Sequence, residues 1–214
     1  MSPLTGLAAV LFAGLSSLPP PPPKMPITGL VAAQVVPNLC EYRYRVSTPS
    51  AECQRFCDQG FGYYYSYVWM EAARSFETAL QHDPKCATAW LGLHKSIDKW
   101  GKNATPKPDA LLTIAGGAGH AKLPDRYGKS PRDYALDRAK ALMDSTSHRE
   151  RLVIAAKLYE RGLMPNTPAD DRRKKAQQTL DELLMIYPDD QEGWFARAQL
   201  ADGPNGAPVF YHAL

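Results

Sequence analysis

Four cysteines, five scattered histidines and two glycine-rich stretches are the residues of this 214-residue chain whose types and spacing could do chemistry. Cys53 and Cys57 stand four apart, on one face of any helix that contains them, and could supply two metal ligands. No second pair and no histidine at ligand spacing accompanies them, so no metal site is expected. Cys40 and Cys53 are the one pair considered for a disulfide, because the loop between them, EYRYRVSTPSAE, can fold back; buried free thiols are the alternative. His82, His94, His120, His148 and His212 stand singly. No Ser/His/Asp set, HExxH helix, paired-carboxylate cleft or CxxC motif is present, so neither an enzyme nor a cofactor is expected.

Two stretches imitate nucleotide sites. Gly116-Gly117-Ala118-Gly119 could suggest a phosphate cradle, and Gly128-Lys129-Ser130 looks like the tail of a P-loop. A P-loop requires glycine where Leu123 stands and an apolar strand upstream, which KLPDR cannot form. Ser130 as N-cap and Pro131 as first helical residue account for the same positions. Asn103-Ala104-Thr105 is a glycosylation sequon, meaningful only in a eukaryotic secretory pathway.

The elements that would position these residues follow from composition and periodicity. Hydrophobic content of 44% and charged content of 22% belong to an ordinary globular chain, and a net charge of +3 is too small to imply nucleic acid. The DRRKK run at 171–175 reads as a solvated helix face. Residues 1–37 form a leader: an apolar run at 4–18, too short for a membrane span, then five prolines at 19–23, then a second apolar run with a candidate cleavage point before Gln34. The leader is expected to be disordered or cleaved, and export to a periplasmic or extracellular space is favoured over a cytoplasmic location. Residues 38–52 are an N-terminal extension.

From residue 53 onward the apolar pattern is helical. FCDQGFGYYYSYVWMEAARSFETALQHDP, residues 56–84, carries one stripe of Phe56, Gly60 and Tyr63 and a second of Ala72, Phe76 and Ala79, closed by Pro84. Gly60 and Ala72 are expected where the two helices cross. Trp90 and Leu93 open a second unit, with His94 where a small residue is usual; His94 is expected as a packed core residue. Residues 101–130 interrupt the pattern. Ser147 and Glu150 form a capping box, and Leu152, Ala156 and Tyr159 follow at helical spacing until Gly162. Ala176, Leu180 and Pro188 repeat the earlier Ala-x3-Phe … Pro arrangement, and Trp194 and Ala198 open a last unit whose turn is at 203–206.

This order resembles the tetratricopeptide repeat family, most closely in residues 56–84, and is similar to exported bacterial repeat proteins. The resemblance implies an all-α fold, an α-solenoid of about three and a half antiparallel helix pairs over residues 53–214, with an incomplete last pair. It places Cys86 almost one repeat after Cys53, where stacked hairpins would separate the two by about 10 Å. It further implies a superhelix whose inner surface is lined by the first helix of each pair, here with Phe61, Tyr64, Tyr65, Leu91, Lys95, Lys157 and Phe195. Tyr63, Tyr64, Tyr65 and Tyr67 cannot all face one core, since successive helical residues point about 100° apart. Exposed aromatics beside lysines suit a peptide. The function expected is a non-enzymatic scaffold for a protein or peptide partner; the alternative is a helical arm of a larger exported enzyme. Neither nucleic acid nor a stable membrane span is expected.

Overall fold

The Ser50 hydroxyl accepts a hydrogen bond from the Cys53 amide at 3.1 Å, and this cap opens the first helix, α1 (Ala51–Tyr65). The computed structural model describes residues 21–103 and 129–201. Six more helices follow among them: α2 (Trp69–His82), α3 (Ala87–Asn103), α4 (Pro131–Leu142), α5 (His148–Glu160), α6 (Arg172–Ile186) and α7 (Gln191–Gln199). No strand occurs among the described residues, and extended pairing is confined to an isolated bridge between Lys24 and Val31. The fold is all-α. Residues 1–20, most of the 101–130 insertion with its Gly116–Gly119 run and Gly128, Ala104 and Thr105 of the sequon, and the turn from Gly203 lie outside the described residues.

Local chemistry sets the helix ends. Ser130 caps α4, accepting from the Asp133 amide at 3.2 Å, with Pro131 at the first helical position. Ser147 and Glu150 make the reciprocal capping box of α5. Both α1 and α5 end in a turn whose last amide reaches back five residues, Val68 to the Tyr63 carbonyl and Leu163 to that of Leu158. The left-handed residue in the second turn is Gly162, at φ 69°; in the first it is Tyr67, at φ 63°.

Packing proceeds in chain order: α1 on α2, α2 on α3, α3 on α4, and α5 on α6, with a thinner contact between α4 and α5. One aromatic ring organises the first three helices. Phe76 is fully buried between two glycines, Gly60 of α1 and Gly92 of α3. A methyl group on Gly60 would stand 2.9 Å from three carbons of that ring, inside van der Waals contact. The space that Gly60 leaves beside α2 is taken by Phe76. On α3 the small residue is Gly92, and His94, two positions on, is buried as expected.

Two turns repeat one another. The Trp90 indole N–H donates to the Pro84 carbonyl at 2.9 Å, and the Trp194 indole donates to that of Pro188 at 2.8 Å. In each, a tryptophan in the first turn of a helix closes on the proline that ended the preceding one.

Residues 24–36, assigned from sequence to a disordered or cleaved leader, lie along α2. Met25, Ile27 and Ala33 are buried there. The Glu77 carboxylate accepts from the Ile27 amide at 2.6 Å, the Thr28 amide at 2.8 Å and the Thr28 hydroxyl. Thr78 accepts from the Ala33 amide at 2.8 Å, while Arg74 donates to the Val31 and Ala32 carbonyls. The physical reason is polar matching: a glutamate on the second face of α2 supplies the acceptors that an irregular backbone must find when buried.

Candidate functional site

Helices α1, α3, α5 and α7 share one face of the molecule, and the chain itself crosses it. Residues 42–48 run there, bending at Ser47, with alternating burial up to Val46: Tyr44 and Val46 point inward and are nearly fully buried, while Arg43 and Arg45 are exposed. Side chains of the helices take up the backbone polar groups of this segment. From α1, Asp58 accepts from the Tyr44 amide at 3.1 Å, and the Gln54 amide group both accepts from the Val46 amide at 3.0 Å and donates to the Tyr44 carbonyl at 2.8 Å. From α5, Glu150 accepts from the Ser47 amide at 2.8 Å and Arg149 donates to the Arg45 carbonyl at 2.8 Å. Thr88 of α3 donates to the same Glu150 at 2.6 Å.

The Tyr44 hydroxyl donates to Asp190 at 3.1 Å, and the Arg149 guanidinium lies 4.5 Å from the Tyr44 ring centroid. The Tyr42 hydroxyl donates to Glu192 at 2.8 Å. Burial first, and then the neighbouring Glu192 and Asp190, push both phenols far above the ordinary tyrosine range, so both remain donors. Burial opposes the charge of Glu150, but hydrogen bonds from Ser47, Thr88 and Ser147 outweigh it and hold its carboxyl below the usual range.

Glu192, in the first turn of α7, is the focus of the aromatic residues expected on the inner surface. Lys95 binds it at 2.8 Å and Tyr65 donates to it at 2.5 Å. Lys95 also lies 4.7 Å from the Tyr64 ring centroid and 5.9 Å from that of Phe61, while Phe195 stacks on Tyr65 at 4.3 Å. Burial works against the lysine charge; Glu192 and the Tyr64 ring partner overcome it and raise its pKa. Phe61, Tyr64, Tyr65, Lys95 and Phe195 are thus brought together, with Leu91 lining the same region. Lys157, paired with Glu160, lies beside a narrow cleft that continues this face and is lined also by Leu91, Lys95, Val153 and Leu200.

The openness of this surface is corrected. Phe61, Tyr64 and Leu91 are nearly fully buried, because residues 42–46 and α7 cover them. Exposure among the tyrosines is concentrated at Tyr67, 76% exposed in the turn between α1 and α2. Sequence reasoning missed Tyr42, Tyr44, Asp58, Glu150, Asp190 and Glu192. A signal existed in EYRYRVS, whose apolar and charged residues alternate with period two, the pattern of a half-buried extended segment.

Of the two arrangements left open for the cysteines, free thiols are the one present. All four are free thiols. Cys40 packs against Gly62, nine positions along α1 from Cys53, so the proposed Cys40–Cys53 bridge is not formed. Instead the sulfurs of Cys53, Cys57 and Cys86 all lie within 4.8 Å of one another. The separation of about 10 Å expected for Cys53 and Cys86 fails because Cys86 sits in the turn before α3, at the helix end and not along it. Hydrogen bonds from the Cys57 and Cys86 thiols hold the Cys53 thiol well below the ordinary range, and burial adds to the opposite shift of Cys57.

No helix among the described residues is long and apolar enough to cross a membrane. Compared with known proteins, the chain matches no family model, no curated protein and no solved structure.

Proposed function

We propose that this chain is a non-enzymatic protein-interaction scaffold, a tetratricopeptide-like array of helix pairs whose inner face holds an extended peptide. The observation that carries the reading is the path of residues 42–48 across α1, α3, α5 and α7. Their backbone is taken up by Gln54, Asp58, Arg149 and Glu150, and their side chains by Asp190 and Glu192. Side chains on helices that read both the backbone and alternate residues of an extended segment form a peptide-binding surface. The paired Trp–Pro turns support the repeat assignment. In this reading the chain's own segment occupies the groove, and a partner segment with tyrosines two apart followed by a β-branched residue competes for it.

A displacement experiment tests this. A fluorescent peptide of residues 41–49, EYRYRVSTP, is titrated onto the parent chain and onto a Tyr42→Ala/Tyr44→Ala variant with a weakened internal segment. The peptide should bind the variant at least about tenfold more tightly than the parent, since a linked segment competes at an effective concentration near millimolar. A peptide with both tyrosines replaced by alanine should not bind. Absence of binding to a variant that keeps its helical circular dichroism would end the proposal. So would loss of that helical signal in the variant, which would make the segment core and not a replaceable ligand.

A further inference from the structure

Cys53, Cys57 and Cys86 converge near the N-terminal end of α1, at the opposite end from Tyr65 and its partner Glu192, where Thr48 of the extended segment meets Cys53. Each is fully buried, and their sulfurs lie within 4.8 Å of one another. Three sulfurs bonded to one central ion at about 2.3 Å stand about 4 Å apart, so the observed arrangement needs only a small contraction to close on an ion. The sulfurs come from two elements, the first turns of α1 and the turn that begins α3. Binding would therefore tie these elements together.

We propose that Cys53, Cys57 and Cys86 form a three-thiolate site for a soft monovalent cation, copper(I). Thiolate sulfur selects such ions over hard ones. Closed zinc sites take four ligands, and among the described residues no fourth cysteine, histidine or carboxylate joins the cluster. Cys40 stands well along α1, against Gly62. Charge is partly compensated by the backbone. The Cys86 carbonyl accepts the first bond of α3, from Trp90, which makes Cys86 the cap residue, and its sulfur accepts from the Ala89 amide. Cys53 lies in the first turn of α1. The N-terminus of α3, equivalent to roughly half a positive charge, thus faces the Cys86 sulfur. On binding, three copper–sulfur bonds form, the thiol protons leave to solvent, and neither copper nor sulfur changes oxidation state. Entry is by opening of the first turn of α1 and the turn before α3, since element ends open at the lowest cost.

The test uses the full chain, reduced and anaerobic, titrated with copper(I) held by the chromophoric chelator bicinchoninate. The chain should withdraw one equivalent, and X-ray absorption of the parent protein should show three sulfurs at about 2.3 Å from copper. Cys53→Ser, Cys57→Ser and Cys86→Ser should each weaken retention at least about tenfold, one ligand being lost from three; Cys40→Ser should not. No withdrawal from the chelator overturns the proposal. A two-sulfur shell, or loss of copper with Cys40→Ser, does the same, as does tighter binding of zinc than of copper(I). The absorption measurement on the parent chain stands even where a variant fails to fold.

Discussion

The first and last helices of this all-α chain are built to different standards. In α1 nine of 15 residues are buried and in α2 eight of 14, whereas α6 buries four of 15 and α7 two of nine. The difference is not in hydrophobicity alone, because the buried set of α1 and α2 includes Asp58, Gln59, Ser75, Glu77 and Thr78. Asp58, Gln59, Glu77 and Thr78 are inside because residues 24–48 lie over them and use them as hydrogen-bond partners, and Ser75 is bonded in turn by Gln59. Helix α6 has the one-sided pattern of an ordinary surface helix, with Ala176, Leu180 and Leu183 inward and Met185 86% exposed. An irregular segment can be buried only against helices that carry acceptors for its amides, and the first pair supplies Asp58, Gln59, Glu77 and Thr78 for that purpose.

The strongest way to break the comparison is to remove what covers the first pair. A chain beginning at Gln34, the candidate cleavage point, loses the burial of Met25 and Ile27 and the bonds of residues 27 and 28 to Glu77. Two buried apolar side chains at about 1.5–3 kcal/mol each, with three hydrogen bonds at about 1 kcal/mol each, put the cost at roughly 5 kcal/mol or more. Urea denaturation of the two lengths measures it. Equal midpoints would show that the segment covers α2 without stabilising it.

A second prediction concerns pH. His94 of α3 donates from Nδ1 to the Arg132 carbonyl at 2.9 Å, and its Nε2 is buried without a hydrogen-bond partner. Burial lowers its pKa from 6.5 to about 4. Between those values the unfolded chain binds the proton and the folded chain does not. The contribution is therefore complete above pH 6.5 and is lost as pH falls toward 4. Its size is about 3 kcal/mol. Denaturation midpoints across this range should fall for the parent chain and flatten in His94→Gln; parallel profiles would remove His94 as the cause.

The smallest expected effect contrasts the ends of α1 and α5, which use the same turn with different residues. Tyr67 holds φ 63° where Gly162 holds 69°. A side chain in that region costs about 1–2 kcal/mol, and Tyr67 recovers little by packing, being exposed apart from an edge contact with Trp69. Tyr67→Gly should raise stability by about 1 kcal/mol, read as an upward shift in melting temperature. A drop would mean that the Tyr67–Trp69 contact outweighs the strain.

Much of the helical frame was legible residue by residue. Ser130 with Pro131, Ser147 with Glu150, and Gly162 mark helix ends by local bonding alone, and the small and aromatic residues at helical spacing mark the faces that pack. Of the residues expected to share a surface, Phe61, Tyr64, Tyr65, Lys95 and Phe195 do meet. What covers them was not legible, because Tyr42 and Glu192 lie 150 residues apart along the chain and no local rule joins them.

By itself the sequence determined where helices start and stop, since caps, glycines and prolines act within a turn of the backbone. Only the tertiary structure decided which surfaces stay open, where an extended segment could be buried, and that Cys86 would join Cys53 and Cys57. Those outcomes depend on through-space partners for buried amides, carboxylates and thiols, and such partners are supplied by helices far apart in the chain.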